Sequence, residues 1–171
     1  MKRLFFALWP DEETRHKVVK LNRTIKNDRL RKVKPDNVHI TLVFLGSVNA
    51  EQERVIREEA GNIVAEPVQI QFDRLTLWRR PGILSLTCTE QPRSLLELVV
   101  GLTRIAVGCE LDVDKRPYKA HVTLARKARS KPDIEMRPLL WRADRFALVE
   151  SVSAEDGVHY QVLESWPLIG A

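Results

Sequence analysis

The tetrapeptide pattern H-[IV]-T-L occurs twice, as His39-Ile40-Thr41-Leu42 and as His121-Val122-Thr123-Leu124, 82 residues apart in a chain of 171. That separation is close to half the chain, and each copy follows a helical pattern and a polar loop. This is the footprint of a weak internal repeat, and it points to two halves of similar build. Successive side chains on a strand point to opposite faces. His39 and Thr41 therefore share one face while Ile40 and Leu42 fill the other, and His121 and Thr123 stand in the same relation to Val122 and Leu124. If a pseudo-two-fold axis relates the halves, two imidazoles and two hydroxyls converge across a groove.

The surrounding punctuation supports that frame. Residues 4–9, LFFALW, read as a buried strand stopped by Pro10, and DEET then supplies the acidic first turn of a helix running to about Lys26, with Val18, Leu21 and Ile25 inward. Residues 27–37 are polar and basic, a surface connection before a strand that closes at Gly46. A second helix is expected over Ala50–Ala65, with Val55, Ile56, Ile63 and Val64 inward. VQIQFDRLTLW (68–78) and ILSLTCTE (83–90) read as a hairpin around RRPG. A third helix follows Pro92 and stops near Gly108. The second H-x-T strand then lies between basic flanks, and FALVESVS and VHYQVLESW form a final hairpin in which Asp156 and Gly157 suit positive backbone angles. The pattern is an α+β fold dominated by antiparallel pairing, organised as a single bilobal domain over residues 1–171.

Composition excludes several classes. The apolar run near the N-terminus is too short for a membrane span or signal peptide. Cys88 and Cys109 have no pairing or metal-ligand spacing, so a reducing, cytoplasmic setting is expected. No phosphate-binding loop of the nucleotide-triphosphate type occurs, which argues against ATP consumption. A formal charge of +5 and a pI near 9.4 permit an anionic ligand without demanding one.

Two opposed histidines suit in-line displacement at phosphorus, one accepting a proton from the attacking oxygen and the other protonating the departing one. An ordinary histidine pKa of about 6.5 makes both forms available near neutrality. The threonine hydroxyls can donate to non-bridging oxygens. This chemistry needs no cofactor and no metal. A zinc site would want further ligands, and His16 and His159 lie apart from any such cluster.

Four landmarks together resemble the 2H phosphoesterase superfamily, specifically its bacterial RNA 2',3'-cyclic phosphodiesterase branch, also called LigT-like or 2'-5' RNA ligase. They are RLFFALWP, DNVHITLVFLG, RPYKAHVTLAR and the closing pattern S-x5-G-x2-Y-x2-L-x2-W-P-L from Ser151 to Leu168. The resemblance covers nearly the whole chain. It implies a bilobal, duplicated fold of two antiparallel sheets lining a central groove with helices outside. It also implies hydrolysis of a terminal 2',3'-cyclic phosphate on RNA to a 2'-phosphate, and possible reversal as 2'-5' ligation. By that resemblance His39 is the general acid, His121 the general base, and Thr41 and Thr123 hold the phosphate, although the near symmetry of the motifs lets the acid and base labels be exchanged. The chain departs from the family in having Ala120 where proline often precedes the second histidine.

Phe44 and Arg126 each sit five residues after a motif histidine, so the pseudo-two-fold places them at corresponding points where they could flank a base, and for Arg126 the resemblance implies phosphate or base contact. Strand parity sets both on the face opposite the histidines unless each lies where its strand ends. The basic residues Lys115, Arg116, Lys119, Lys127, Arg129 and Lys131 read first as a solvated face. Trp9, Trp78, Trp141 and Trp166 read mainly as packing. The expected partner is RNA with a cyclic phosphate end, or a cyclic nucleotide, met by a monomer away from membranes. The alternatives are a non-catalytic RNA-end binding module and a cyclic phosphodiesterase for small nucleotides.

Overall fold

The computed structural model describes residues 1–170. In chain order it runs β1 (Lys2–Leu8), α1 (Glu12–Thr24), β2 (Arg31–Lys32), a single 3-10 turn (Pro35–Asn37), β3 (Ile40–Val48), α2 (Ala50–Gly61), β4 (Val68–Phe72), β5 (Arg74–Trp78), β6 (Ile83–Thr87), α3 (Arg93–Gly108), β7 (His121–Arg126), β8 (Leu139–Ala143), β9 (Arg145–Ala154) and β10 (Gly157–Pro167). Two four-stranded antiparallel sheets carry the two lobes, in the orders β10-β9-β1-β3 and β2-β7-β6-β5, and β4 and β8 form a separate pair. Among the described residues no helix is long and apolar enough to cross a membrane.

Local chemistry sets the helix starts. Asp11 caps α1 by accepting from Thr14 N at 2.7 Å. Asn49 and Gln52 form a reciprocal capping box on α2, with bonds of 2.8 and 3.0 Å. α3 buries Leu95, Leu98, Val99, Leu102, Ile105 and Ala106, an apolar stripe at helical spacing. α3 follows β6 of the second sheet but packs on β3 of the first. α1 follows β1 of the first sheet but reaches the second, where buried Asn22 donates from Nδ2 to Leu124 O at 2.9 Å. Each lobe is thus backed by a helix that departs from the other, and one core cluster runs from Leu8 and Ile40 through Ile56 to Leu84, Leu86 and Leu124.

Several expectations need correction. α2 ends at Gly61, four residues early, and Val64 lies 71% exposed rather than inward. The run at 68–78 is not one strand. Asp73 breaks it into β4, which pairs with β8, and β5, which pairs with β6. The break is built from polar bonds: Asp73 accepts from Thr89 N and Thr89 Oγ1 at 2.9 and 2.7 Å. β8 is a strand that the sequence reading does not place, although Leu139, Trp141 and Ala143 alternate inward. In the β9–β10 turn only Gly157 takes a positive φ, of 119°. Asp156 serves that turn through its side chain, accepting from His159 Nε2 at 2.8 Å and Lys34 Nζ at 3.2 Å.

Candidate active site

His39 precedes β3, and His121 opens β7. Each ring is tied by Nδ1 to the carbonyl two residues upstream, His39 to Asn37 O at 2.7 Å and His121 to Lys119 O at 2.9 Å. A carbonyl only accepts, so Nδ1 carries the proton and Nε2 holds the lone pair of each neutral ring. Thr41 Oγ1 then donates to His39 Nε2 at 2.9 Å. His121 Nε2 has no hydrogen-bond partner among the described residues, and neither has the Thr123 hydroxyl.

The anchoring carbonyls are themselves held. Asn37 donates to Val158 O at 2.8 Å and accepts from Tyr160 N at 3.3 Å, joining the turn before His39 to β10. On the other side Gln91 brackets Lys119: its Nε2 donates to Tyr118 O at 2.9 Å and its Oε1 accepts from Ala120 N at 2.7 Å. Proline at position 120 would lack that N–H. Ala120 thus replaces ring stiffness with a hydrogen bond to Gln91. Tyr118 crosses between lobes, donating to Thr41 O at 2.7 Å, and burial raises its phenol pKa above the ordinary value.

The strand register overturns the parity argument for Phe44 and Arg126. Ala7 pairs with Thr41 and Phe6 with Val43, so Leu42 is an extra, bulged residue. Because cross-strand partners share a face, Phe44, paired with Phe5, returns to the side of Ala7 and Thr41. In β7, Ser85 pairs with Thr123 and Leu84 with Ala125, which leaves Leu124 bulged and returns Arg126, paired with Ile83, to the face of His121 and Thr123. Phe44 does not depend on a strand end, since β3 continues to Val48, whereas Arg126 is the last residue of β7. Consecutive buried pairs confirm the extra residue: Leu42 and Val43 are both inside, as are Leu124 and Ala125. The bulge carbonyl Leu124 O accepts from both Asn22 Nδ2 and Val33 N.

The two motif strands pack against each other, with Tyr118 bridging to Thr41. The His39 pKa is lowered to about 4, chiefly because burial disfavours the charged ring, and further by the neighbouring His121 and by the Arg126 guanidinium of the second sheet, each of which disfavours a charge on His39. The bond to Asn37 O opposes that shift. The His39 ring is walled by Trp9, stacked at 5.8 Å and 17°, by Phe5 at 5.1 Å, and by the edge-on ring of Tyr160 at 4.9 Å. His121 meets one aromatic ring, Trp78, edge-on at 5.2 Å. Among the described residues no three His, Cys, Asp or Glu side chains cluster as a metal site.

Residues 8–84 match the model of the LigT-like phosphoesterase family. An RNA 2',3'-cyclic phosphodiesterase of Escherichia coli is 31% identical over 170 residues, covering 98% of this chain and 97% of that one. The chain belongs to the LigT-like phosphoesterase family. A crystal structure described as a phosphoesterase superposes on this LigT-like chain with a TM-score of 0.91 at 30% identity, covering 98% of both. The Escherichia coli LigT structure complexed with 3'-AMP superposes with a TM-score of 0.86 at 28% identity, again covering 98% of both.

Several residues of this LigT-like site escape the sequence reading. Trp141 and Trp166 are packing residues, the former fully buried and the latter stacked on Phe146 at 5.3 Å. Trp9 and Trp78 instead flank the two histidines. Trp9 carries a usable signal, because β1 runs antiparallel to β3 and ends opposite His39. Gln91 and Asn22 carry none, being remote in sequence from the strands they hold.

Proposed function

We propose that this protein is an RNA 2',3'-cyclic phosphodiesterase, working as one bilobal domain with a histidine from each lobe. The observation that carries the reading is the matched pair of imidazoles, each anchored through Nδ1 to the carbonyl two residues upstream, which leaves Nε2 as the nitrogen available for proton transfer. His121 Nε2 takes a proton from water as its oxygen attacks phosphorus. The P–O3' bond breaks as His39 Nε2 delivers a proton to O3', leaving a 2'-phosphate and a 3'-hydroxyl. Thr41 and Thr123 donate to the non-bridging oxygens on which charge grows.

The depressed His39 pKa bears on this assignment. Without ligand the ring is neutral at pH 7, so the acid form requires the anionic substrate. A phosphate between the rings favours the protonated imidazole and opposes the burial that disfavours it. Phe44, 61% exposed and 6.1 Å from Phe5, and Arg126 on the opposite wall flank the terminal nucleoside. Relatives named as RNA 2',3'-cyclic phosphodiesterases and the 3'-AMP complex of a LigT structure support the substrate class.

The test is incubation with 2',3'-cyclic AMP and with a short RNA bearing a cyclic phosphate, in EDTA, followed by phosphorus NMR. A 2'-phosphate product that disappears in both His39→Ala and His121→Ala supports the mechanism. A 3'-phosphate overturns the regiochemistry, and binding without turnover makes the protein an RNA-end binding module.

A further inference from the structure

Arg126 does not stand alone on the groove wall. β2 is only two residues long, Arg31 and Lys32, and it adds to the edge of the second sheet with Arg31 directly opposite Arg126. Cross-strand partners share a face, so the Leu124 bulge that brings Arg126 to the histidine side places Arg31 there as well. The charge of Arg126 is felt at His39, which sets this face toward the catalytic gap. Arg31 lies one strand further out. Its guanidinium reaches the β9–β10 turn of the first lobe, where a Cβ on Gly157 would stand 3.6 Å from Arg31 Nη2. The two arginines thus span one end of the groove.

Two like charges opposite each other across an antiparallel pair destabilise the sheet. Some arginines of the chain are held by carboxylates, Arg57 by Glu53 and Glu164, Arg54 by Glu51 and Glu58, Arg116 by Asp114, and others are not. What sets Arg31 and Arg126 apart is that they stand directly opposite each other across a ladder. Both are exposed, and among the described residues neither has a carboxylate within 4.0 Å or a hydrogen-bond acceptor for its guanidinium. The two guanidinia together carry ten N–H donors with no acceptor in the protein, and an anion between them would relieve the repulsion and satisfy the forks bidentately.

We infer that Arg31, with Arg126, forms a second phosphate subsite that holds the internal phosphodiester next to the terminal cyclic phosphate of an RNA strand. The inference rests on the proposed reaction and deepens it: the protein prefers an oligonucleotide end to a cyclic mononucleotide. The next phosphate along a strand lies one nucleotide beyond the reacting one, and Arg31 lies one strand beyond the wall that carries His121. The subsite reads charge and not base identity, because a guanidinium on a phosphodiester carries no sequence information.

Three substrates test this: 2',3'-cyclic AMP, the dinucleotide ApA ending in a 2',3'-cyclic phosphate, and the same dinucleotide with a neutral methylphosphonate linkage. For the wild type, kcat/KM is expected to be highest for the charged dinucleotide. In Arg31→Gln the preference for charged over neutral dinucleotide should collapse about tenfold, as expected for one lost charged contact. Arg31→Lys should retain part of it, keeping the charge and losing the fork. Binding of a labelled RNA trinucleotide ending in 3'-phosphate gives an independent readout: the slope of log affinity on log salt should fall by about 0.7 in Arg31→Gln. The Tm at low salt should equal or exceed that of the wild type, since a repulsion is removed. An unchanged preference with an unchanged salt slope overturns the subsite, and so does a lower Tm with equal losses on all three substrates. Wild-type protein that binds with the stated slope change yet hydrolyses nothing removes the proposed reaction and leaves the subsite standing.

Discussion

The two lobes present the same backbone device in different surroundings. In each, a histidine is anchored to the carbonyl two residues before it, a threonine follows on the same face, and a leucine bulges one residue later. In the first lobe the wall around that device is aromatic: Phe5, Trp9 and Tyr160 enclose His39, and Thr41 bonds its Nε2. In the second, the aromatic ring found against His121 among the described residues is that of Trp78, Ser85 and Thr87 share its face, and Arg31 stands opposite Arg126. Repetition of a motif copies geometry, while proton affinity and ligand contact come from what surrounds it.

The largest effect should come from removing either ring. His39→Ala and His121→Ala are each expected to lower kcat on a cyclic phosphate substrate by about 10²–10⁴-fold, the usual range for one acid or base. Comparable losses support equivalent lobes, whereas a dispensable ring would break the comparison. Thr41→Val and Thr123→Val come next. Each removes a donor to the phosphate, with losses of about 10²-fold or less for a single donor. Only Thr41→Val should also move the His39 titration, followed by NMR, because only Thr41 bonds a ring nitrogen.

Asn22 sharpens the comparison from the second lobe. Asn22→Leu leaves Leu124 O without one donor and should lower unfolding stability by about 1–3 kcal/mol in denaturant melts. The same substitution should weaken substrate binding more than it alters the first lobe, because Arg126 follows the bulge.

The smallest effect is a slope. The folded His39 pKa, about 4, lies below its unfolded value of 6.5. Between those pH values the unfolded chain binds more protons than the folded one, so this group makes stability rise with pH across that window and leaves no dependence above it. His39→Gln should flatten the wild-type slope there. A His39 titration near 6.5 in ligand-free protein would show that its aromatic enclosure does not disfavour the charged ring, and inorganic phosphate should shift the titration upward.

The duplication of the H-x-T motif, the α+β class and most element positions were legible because they rest on local signals: alternation, helical stripes, caps and punctuating prolines. Asp73 shows where such signals fail. The apolar alternation Val68, Ile70, Phe72 changes phase to Leu75 and Leu77 at Asp73, and the reading as one strand passes over that corner, whose polar bonds come from Thr89, further along the chain. Phe44 and Arg126 fail for another reason. Their spacing from the histidines reads correctly, but parity inverts at a bulge, and a bulge is visible only when the partner strand is paired.

By itself, the order of residues determined that two strands would each offer an imidazole and a hydroxyl on one side, since a period of two needs no partner to be read. Tertiary structure decided which way Phe44 and Arg126 point, that Arg31 joins Arg126, and how hard His39 holds a proton. Those properties depend on register, on helices that back the opposite lobe, and on the local dielectric, none of which exists until distant segments meet.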